Sequence, residues 1–231
     1  MFNPLQFYEF GKSRGTGPIA GITNNLTAYY KFEGNSLDSI GTNNGTDTNI
    51  SYSDVGLVRK SAVTNSSGSN IVVNKLFTQF PCSFACVFKK NAVINAGNIT
   101  VQNQNNYTGI SIVFGGTSLF FRYGNGLGSG VSSRKDFTPT TTLSTNNLNK
   151  NILVVRFIDF NTIELMYNGV SFLTQASAGT ATAIDFEVGY KIADSSTSNY
   201  FDEFAIWNNR ALTNADMTAI TNKYNEGNSL I

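Results

Sequence analysis

Short apolar runs recur along the chain between clusters of Gly, Asn and Ser. Leu26 to Phe32, Ile71 to Val73, Ser83 to Phe88, Gly109 to Phe114 and Ser118 to Tyr123 have the length and residue types of strands. So do Ile152 to Ile158, Thr162 to Tyr167, Ile184 to Gly189 and Phe201 to Trp207. Many short strands at fairly regular spacing predict an all-β sandwich or barrel. Three turns are readable. In Tyr167-Asn-Gly-Val the Asn-Gly pair supplies the positive φ angles of a type I′ hairpin turn. Gly115-Gly116 joins two further runs, and Gly124 to Gly130 forms a glycine-rich loop. The Thr- and Asn-rich stretch from Asp136 to Asn151 reads as a long loop. One segment has helical spacing: Thr213 is its N-cap, Asp216 sits near its positive end, Met217, Ile220 and Tyr224 share a face, and Gly227 ends it.

Residues 1 to 22 stand apart from this pattern. Phe2, Leu5, Phe7, Tyr8 and Phe10 make the segment adhesive, and Gly-Lys-Ser-Arg-Gly-Thr-Gly-Pro follows as a flexible link. Two readings are open: a strand packed on its own domain, or an arm that docks on a partner chain. The expected division is an arm over 1–22 and one β-domain over 23–231.

Composition narrows the function. The 231 residues can bury one sizeable core, and 41% of them are hydrophobic. Charged residues are 13%, about half the usual share, and the net charge is +1. No long-range field therefore favours nucleic acid or an anionic membrane. Solubility falls to Asn, Thr, Ser and Gly, a profile frequent in adhesins and virion proteins. There is no histidine, which removes the commonest general base and the commonest zinc ligand. The two cysteines, Cys82 and Cys86, would lie on one face of a strand about 13 Å apart, too far for a disulfide. They read as small buried hydrophobes. The N-terminus lacks the basic and apolar regions of a signal peptide, and no run has the length of a membrane span. Assembly into a virus particle, or a signal removed beforehand, would reconcile this with an extracellular profile.

Two stretches carry a more specific signal. Leu26-Thr-Ala-Tyr-Tyr-Lys-Phe-Glu-Gly-Asn-Ser-Leu-Asp-Ser-Ile-Gly, continued by Asn43-Asn-Gly-Thr, resembles the opening of laminin-G-like, concanavalin A-like lectin/glucanase domains. Tyr200-Phe-Asp-Glu-Phe-Ala-Ile-Trp-Asn-Asn-Arg-Ala-Leu-Thr-Asn-Ala-Asp-Met resembles their closing motif. Between them, Phe80 to Phe88 resembles the central core strand, with Ala85, Cys86 and Val87 where an aromatic often stands. Thr162 to Val170 resembles a later hairpin. The resemblance spans residues 26 to 227 and implies a two-sheet antiparallel jelly-roll sandwich with one short C-terminal helix. It implies that the first and last strands lie side by side. It also implies a structural Ca²⁺ near where they meet, with Glu33 and Asp202 at the matching positions and Asp38 as a further candidate. The competing reading is that Asp202 and Glu203 cap loops or pair with Arg210.

Glycan hydrolases of this fold need paired carboxylates on one strand face. Asp185 and Glu187 are the nearest pair and have no third acid beside them, so the expectation is a non-enzyme. Three functions remain in order of preference. The first is a virion structural protein, a phage head-decoration or tail/fibre component, attached through the arm to other virion proteins. It would display a lectin-like domain to cell-surface glycans. The second is a secreted or surface-bound bacterial carbohydrate-binding module or adhesin. The third is a hydrolase. Candidate sugar platforms are Tyr107, Tyr123 and Tyr190, with Phe121, although strand aromatics are more often core. An oligomer or a large assembly is expected, though no heptad or collagen repeat sets its order.

Overall fold

The structure is a computed structural model that describes residues 18–54, 57–65, 68–91, 97–101, 107–114, 118–141, 143, 148–186, 190–195 and 198–231. Among them the chain forms fifteen strands and one α-helix. In chain order the first seven strands are β1 (Leu26–Tyr30), β2 (Thr46–Thr48), β3 (Ile50–Ser53), β4 (Ser61–Thr64), β5 (Ser69–Val73), β6 (Cys82–Lys90) and β7 (Gly97–Val101). They are followed by β8 (Thr108–Phe114), β9 (Leu119–Asn125), β10 (Arg134–Pro139), β11 (Asn151–Phe157) and β12 (Ile163–Tyr167). Last come β13 (Val170–Ala178), β14 (Tyr190–Ser195), β15 (Asn199–Asn208) and α1 (Asn214–Asn225).

Every pairing is antiparallel, and one hydrogen-bonded path runs β2-β5-β14-β7-β8-β9-β10-β13-β12-β11-β6-β15-β4-β3, with β1 joined to β15. The path folds back on itself. The first half of β13 pairs with β12 and the second half with β10, so this strand passes from one face to the other. At the opposite side β2 and β3 are separated by Asn49 alone, whose φ of 50° turns the chain between faces. The result is all-β and nearly closed into a barrel. The pairing of β1 with β15 meets the expectation that the first and last strands are neighbours.

Two cores explain the sequence pattern. The inner core lies between the faces and takes Phe84, Cys86 and Phe88 from β6, Ile110 and Ile112 from β8, Phe121 and Tyr123 from β9, and Phe204 and Ile206 from β15. The outer core takes the alternate residues Ala85, Val87, Ala205 and Trp207 and covers them with Met217, Ile220 and Tyr224 of α1. Because β6 is covered on both sides it reads as a continuous apolar run rather than an alternation. A bulge in β15 between Asp202 and Ala205, with Glu203 at φ 54°, shifts the period so that Phe201, Phe204 and Ile206 all face inward. Both cysteines are free and buried.

Some sequence expectations need correction. Residues 184–186 form no strand, and 187–189 lie outside the described residues. The stretch after Asp136 is not all loop, since β10 extends to Pro139. Ile22, placed with the arm by sequence, is fully buried in the outer core, and its carbonyl accepts from Trp207 Nε1 at 2.7 Å. Phe2, Leu5, Phe7, Tyr8 and Phe10 lie outside the described residues, as does the Gly115-Gly116 turn.

Candidate functional site

A cleft of about 380 Å³ opens where four segments meet. β1 supplies Thr27, the loop after it Thr42, Asn43 and Asn44, the segment after β5 Asn74, Lys75, Leu76 and Thr78, and the end of β15 Asn208. Asp38 builds the first wall. Its Oδ1 accepts from the backbone N–H of Tyr29 at 3.0 Å and of Ile40 at 3.2 Å, and its Oδ2 from Asn43 N–H at 3.3 Å. Asn44 Oδ1 in turn accepts from Asp38 N–H at 3.0 Å. Tyr30 donates its hydroxyl to the Asn43 carbonyl at 2.6 Å.

Asn43 ties this loop to the next. Its Oδ1 accepts from Asn74 N–H at 3.0 Å, and its Nδ2 donates to the Lys75 carbonyl. Asn208 closes the floor: Nδ2 donates to Thr27 Oγ1 at 2.9 Å and to the Leu76 carbonyl at 2.8 Å, while Oδ1 accepts from Thr78 N–H at 2.9 Å. Asn43 and Asn208 are therefore occupied in holding the walls. Thr42, Asn44, Asn74, Lys75 and Thr78 stand exposed at the rim and offer amide, hydroxyl and ammonium groups to solvent. The lining has no carboxylate, thiol or imidazole, so it has no acid–base pair and suits recognition by hydrogen bonds. Sequence reading marked Asn43-Asn-Gly-Thr but had no means of joining it to positions 74–78 and 208.

The expected metal ligands divide. Both oxygens of Asp38 serve backbone N–H groups. Glu33 Oε1 and Asp202 Oδ1 are buried with no hydrogen-bond partner among the described residues. Asp202 Oδ2 accepts from Val58 N–H at 2.9 Å. Burial pushes the Asp202 carboxyl up to about 8, and the charges of Glu203 and Glu33 add to the rise. Glu203, also raised by burial, accepts from the Tyr29 hydroxyl and, at 2.7 Å, from Ser229 Oγ. Arg210 pairs with Asp216 at 3.0 Å, not with Asp202 or Glu203. Among the described residues no three His, Cys, Asp or Glu side chains converge on one point. Two orphaned carboxylate oxygens are chemically suited to a hard cation, which would need carbonyl oxygens to complete its shell.

The aromatic candidates also divide. Tyr123, Tyr190 and Phe121 are fully buried and present no face to a sugar. Tyr123 packs among Phe80, Phe137, Phe157 and Phe160, and Tyr190 against Phe77. The i, i+2 alternation of Leu119, Phe121 and Tyr123 turns all three toward the inner core. Tyr107 is half-buried beside Arg122 and Arg134. Of the acidic pair weighed for catalysis, Asp185 is half-buried outside any strand, and Glu187 lies outside the described residues.

No protein-family model and no curated protein matches the chain. Solved structures do match in fold. Domain 4 of an extracellular GH43 arabinanase from Geobacillus stearothermophilus, in complex with arabinotriose, matches with a TM-score of 0.65 at 22% identity, over 85% of this chain and 98% of that one. The binding domain of Paraclostridial Mosquitocidal Protein 1 matches with a TM-score of 0.67 at 16% identity, over 87% of this chain and 53% of that one. A botulinum neurotoxin type C structure, described as dependent for cell entry on two ganglioside molecules, gives 0.67 at 16%, over 89% and 52%. The chain spans about half the length of these toxin structures. The likeness establishes an all-β fold shared with these domains. The laminin-G-like resemblance of the sequence has support at the level of fold and not from a family model.

Proposed function

We propose that this chain is a non-catalytic glycan-binding domain of the concanavalin A-like jelly-roll kind, with the Asn- and Thr-lined cleft as its sugar site. The observation that carries the reading is the cleft itself. Its rim donors and acceptors are uncharged apart from Lys75 and are held by side chains that are already satisfied. Such preorganised amide and hydroxyl groups match the hydroxyls of a sugar and lose little entropy on binding. The fold likeness to a domain complexed with arabinotriose supports the same ligand class. Arabinotriose and a panel of neutral oligosaccharides should bind the intact chain. The double variant Asn74→Ala, Thr78→Ala, which removes exposed rim groups and no wall contact, should weaken binding by roughly tenfold or more with an unchanged melting temperature. Unaltered binding in that variant would sink the cleft.

We infer further that Glu33 and Asp202 hold a structural Ca²⁺, which would neutralise the buried negative charge beneath α1. The reading rests on their orphaned oxygens. We also propose display on a virus particle through residues 1–17. Its support is compositional: five large apolar side chains ahead of a Gly-rich link, and an Asn- and Thr-rich, weakly charged chain. Deleting 1–17 should abolish incorporation into particles while leaving sugar binding intact. Incorporation without the segment would overturn this part.

A further inference from the structure

The face of β8, β9 and β10 turned away from the inner core carries a second cluster that the cleft does not use. Gly109 of β8 and Arg134 of β10 flank Gly124 of β9. A Cβ at Gly124 would lie 2.0 Å from the Tyr107 carbonyl oxygen, so the backbone of Tyr107 rests directly on this bare spot. That placement sets the Tyr107 ring between two guanidinium groups. Arg122 Cζ is 4.5 Å from its centroid and Arg134 Cζ 5.2 Å. Arg122 also lies 5.5 Å from the Phe120 ring, which extends the row.

Among the described residues the charges do not cancel. Arg122 gives Nε at 2.6 Å and Nη2 at 3.0 Å to the Asp136 carboxylate. Arg134 comes within 3.2 Å of the same carboxylate and donates Nη1 to the Tyr107 hydroxyl at 2.9 Å. Two cations thus share one anion. Arg122 Nη1 and Arg134 Nη2 have no hydrogen bond among the described residues. The two side chains keep 20% and 23% of their surface exposed, enough for a ligand to reach. Guanidinium N–H groups with one uncompensated positive charge favour an oxyanion, and a carboxylate matches their planar geometry. The half-buried Phe120 and Tyr107 rings beside them offer apolar faces to sugar C–H groups.

We propose that Arg122, Arg134, Tyr107 and Phe120 form a second site, distinct from the cleft, that binds a carboxylate-bearing sugar. It draws on the glycan reading only in taking a sugar as the ligand class. The two sites are tested apart by measuring sialyllactose, trigalacturonate, lactose and sulfolactose against the intact chain at low and high salt. The carboxylated sugars should bind more tightly than lactose and weaken in high salt. Arg134→Gln should weaken them roughly ten- to hundredfold. Arg134→Lys, which keeps the charge and loses the planar fork, should fall between. The Asn74, Thr78 double variant should leave this binding unchanged. Carboxylated sugars bound no better than lactose, binding indifferent to Arg134→Gln in a folded variant, or binding of sulfolactose alone would each overturn the proposal. Loss of neutral-sugar binding in the cleft variant reports on the other site and leaves this one standing.

Discussion

Asp202 lies on the outward side of β15, one residue before the bulged Glu203, with one carboxylate oxygen accepting from Val58 N–H and the other without a hydrogen-bond partner among the described residues. Its carboxyl is raised to about 8, chiefly by burial. An unfolded chain would release this proton near pH 4, roughly the ordinary aspartate value. Between those limits the folded state binds more protons than the unfolded one. Stability should therefore be full below about pH 4 and decline as pH rises toward 8, by an amount on the order of a few kcal/mol. Denaturant titrations of the chain in EDTA at several pH values should show this slope, and Asp202→Asn should flatten it. Calcium acts against the same charge. At pH 8 added Ca²⁺ should raise the melting temperature of the parent chain and leave Asp202→Asn unmoved. An identical response of both to Ca²⁺ would remove Glu33 and Asp202 as its ligands.

The elements differ in how plainly they were written in the sequence, and the difference follows burial. β6, β8, β11 and β15 lie against a core on at least one side and were recognisable from their apolar runs. β2 is Thr-Asp-Thr with every residue exposed, and β13 is exposed along most of its length, so neither has a periodic apolar signal. β2 is held by β5, and β13 by β12 across the Asn168-Gly169 turn and by β10 further back in the chain. The cleft was hidden for a related reason: its Asn and Thr residues look like ordinary loop composition until the fold brings 27, 42–44, 74–78 and 208 together. The helix was the opposite case, because its cap is local. Thr213 Oγ1 accepts from Asp216 N–H at 3.1 Å, and Asp216 Oδ2 accepts from Thr213 N–H at 3.0 Å. This capping box satisfies backbone donors that would otherwise be open. Thr213→Ala should cost about 1 kcal/mol and Thr213→Ser much less, read as shifts of the denaturation midpoint.

At the scale of the molecule, the same strands build both cores. β6 sends Phe84, Cys86 and Phe88 inward and Ala85 and Val87 outward, and β15 sends Phe204 and Ile206 inward and Ala205 and Trp207 outward. Neither core can be dismantled without disturbing a strand that holds the other. The α1 layer should therefore unfold with the β-structure in one step. The chain permits a direct check, because Trp207 is its only tryptophan and sits under α1. Its fluorescence reports the outer core, while the far-ultraviolet circular dichroism is dominated by the strands. The two denaturation curves should superimpose. Ile220→Ala in the outer core and Phe84→Ala in the inner core should each destabilise by about 2–5 kcal/mol. Each should also shift both curves together, although only one of them lies near Trp207. A fluorescence transition that precedes the dichroism change, most visibly in Ile220→Ala, would mean that α1 peels away from an intact β-structure. It would also place the buried Asp202 and Glu203 within reach of solvent ahead of global unfolding, and would cut the pH slope expected of Asp202 accordingly.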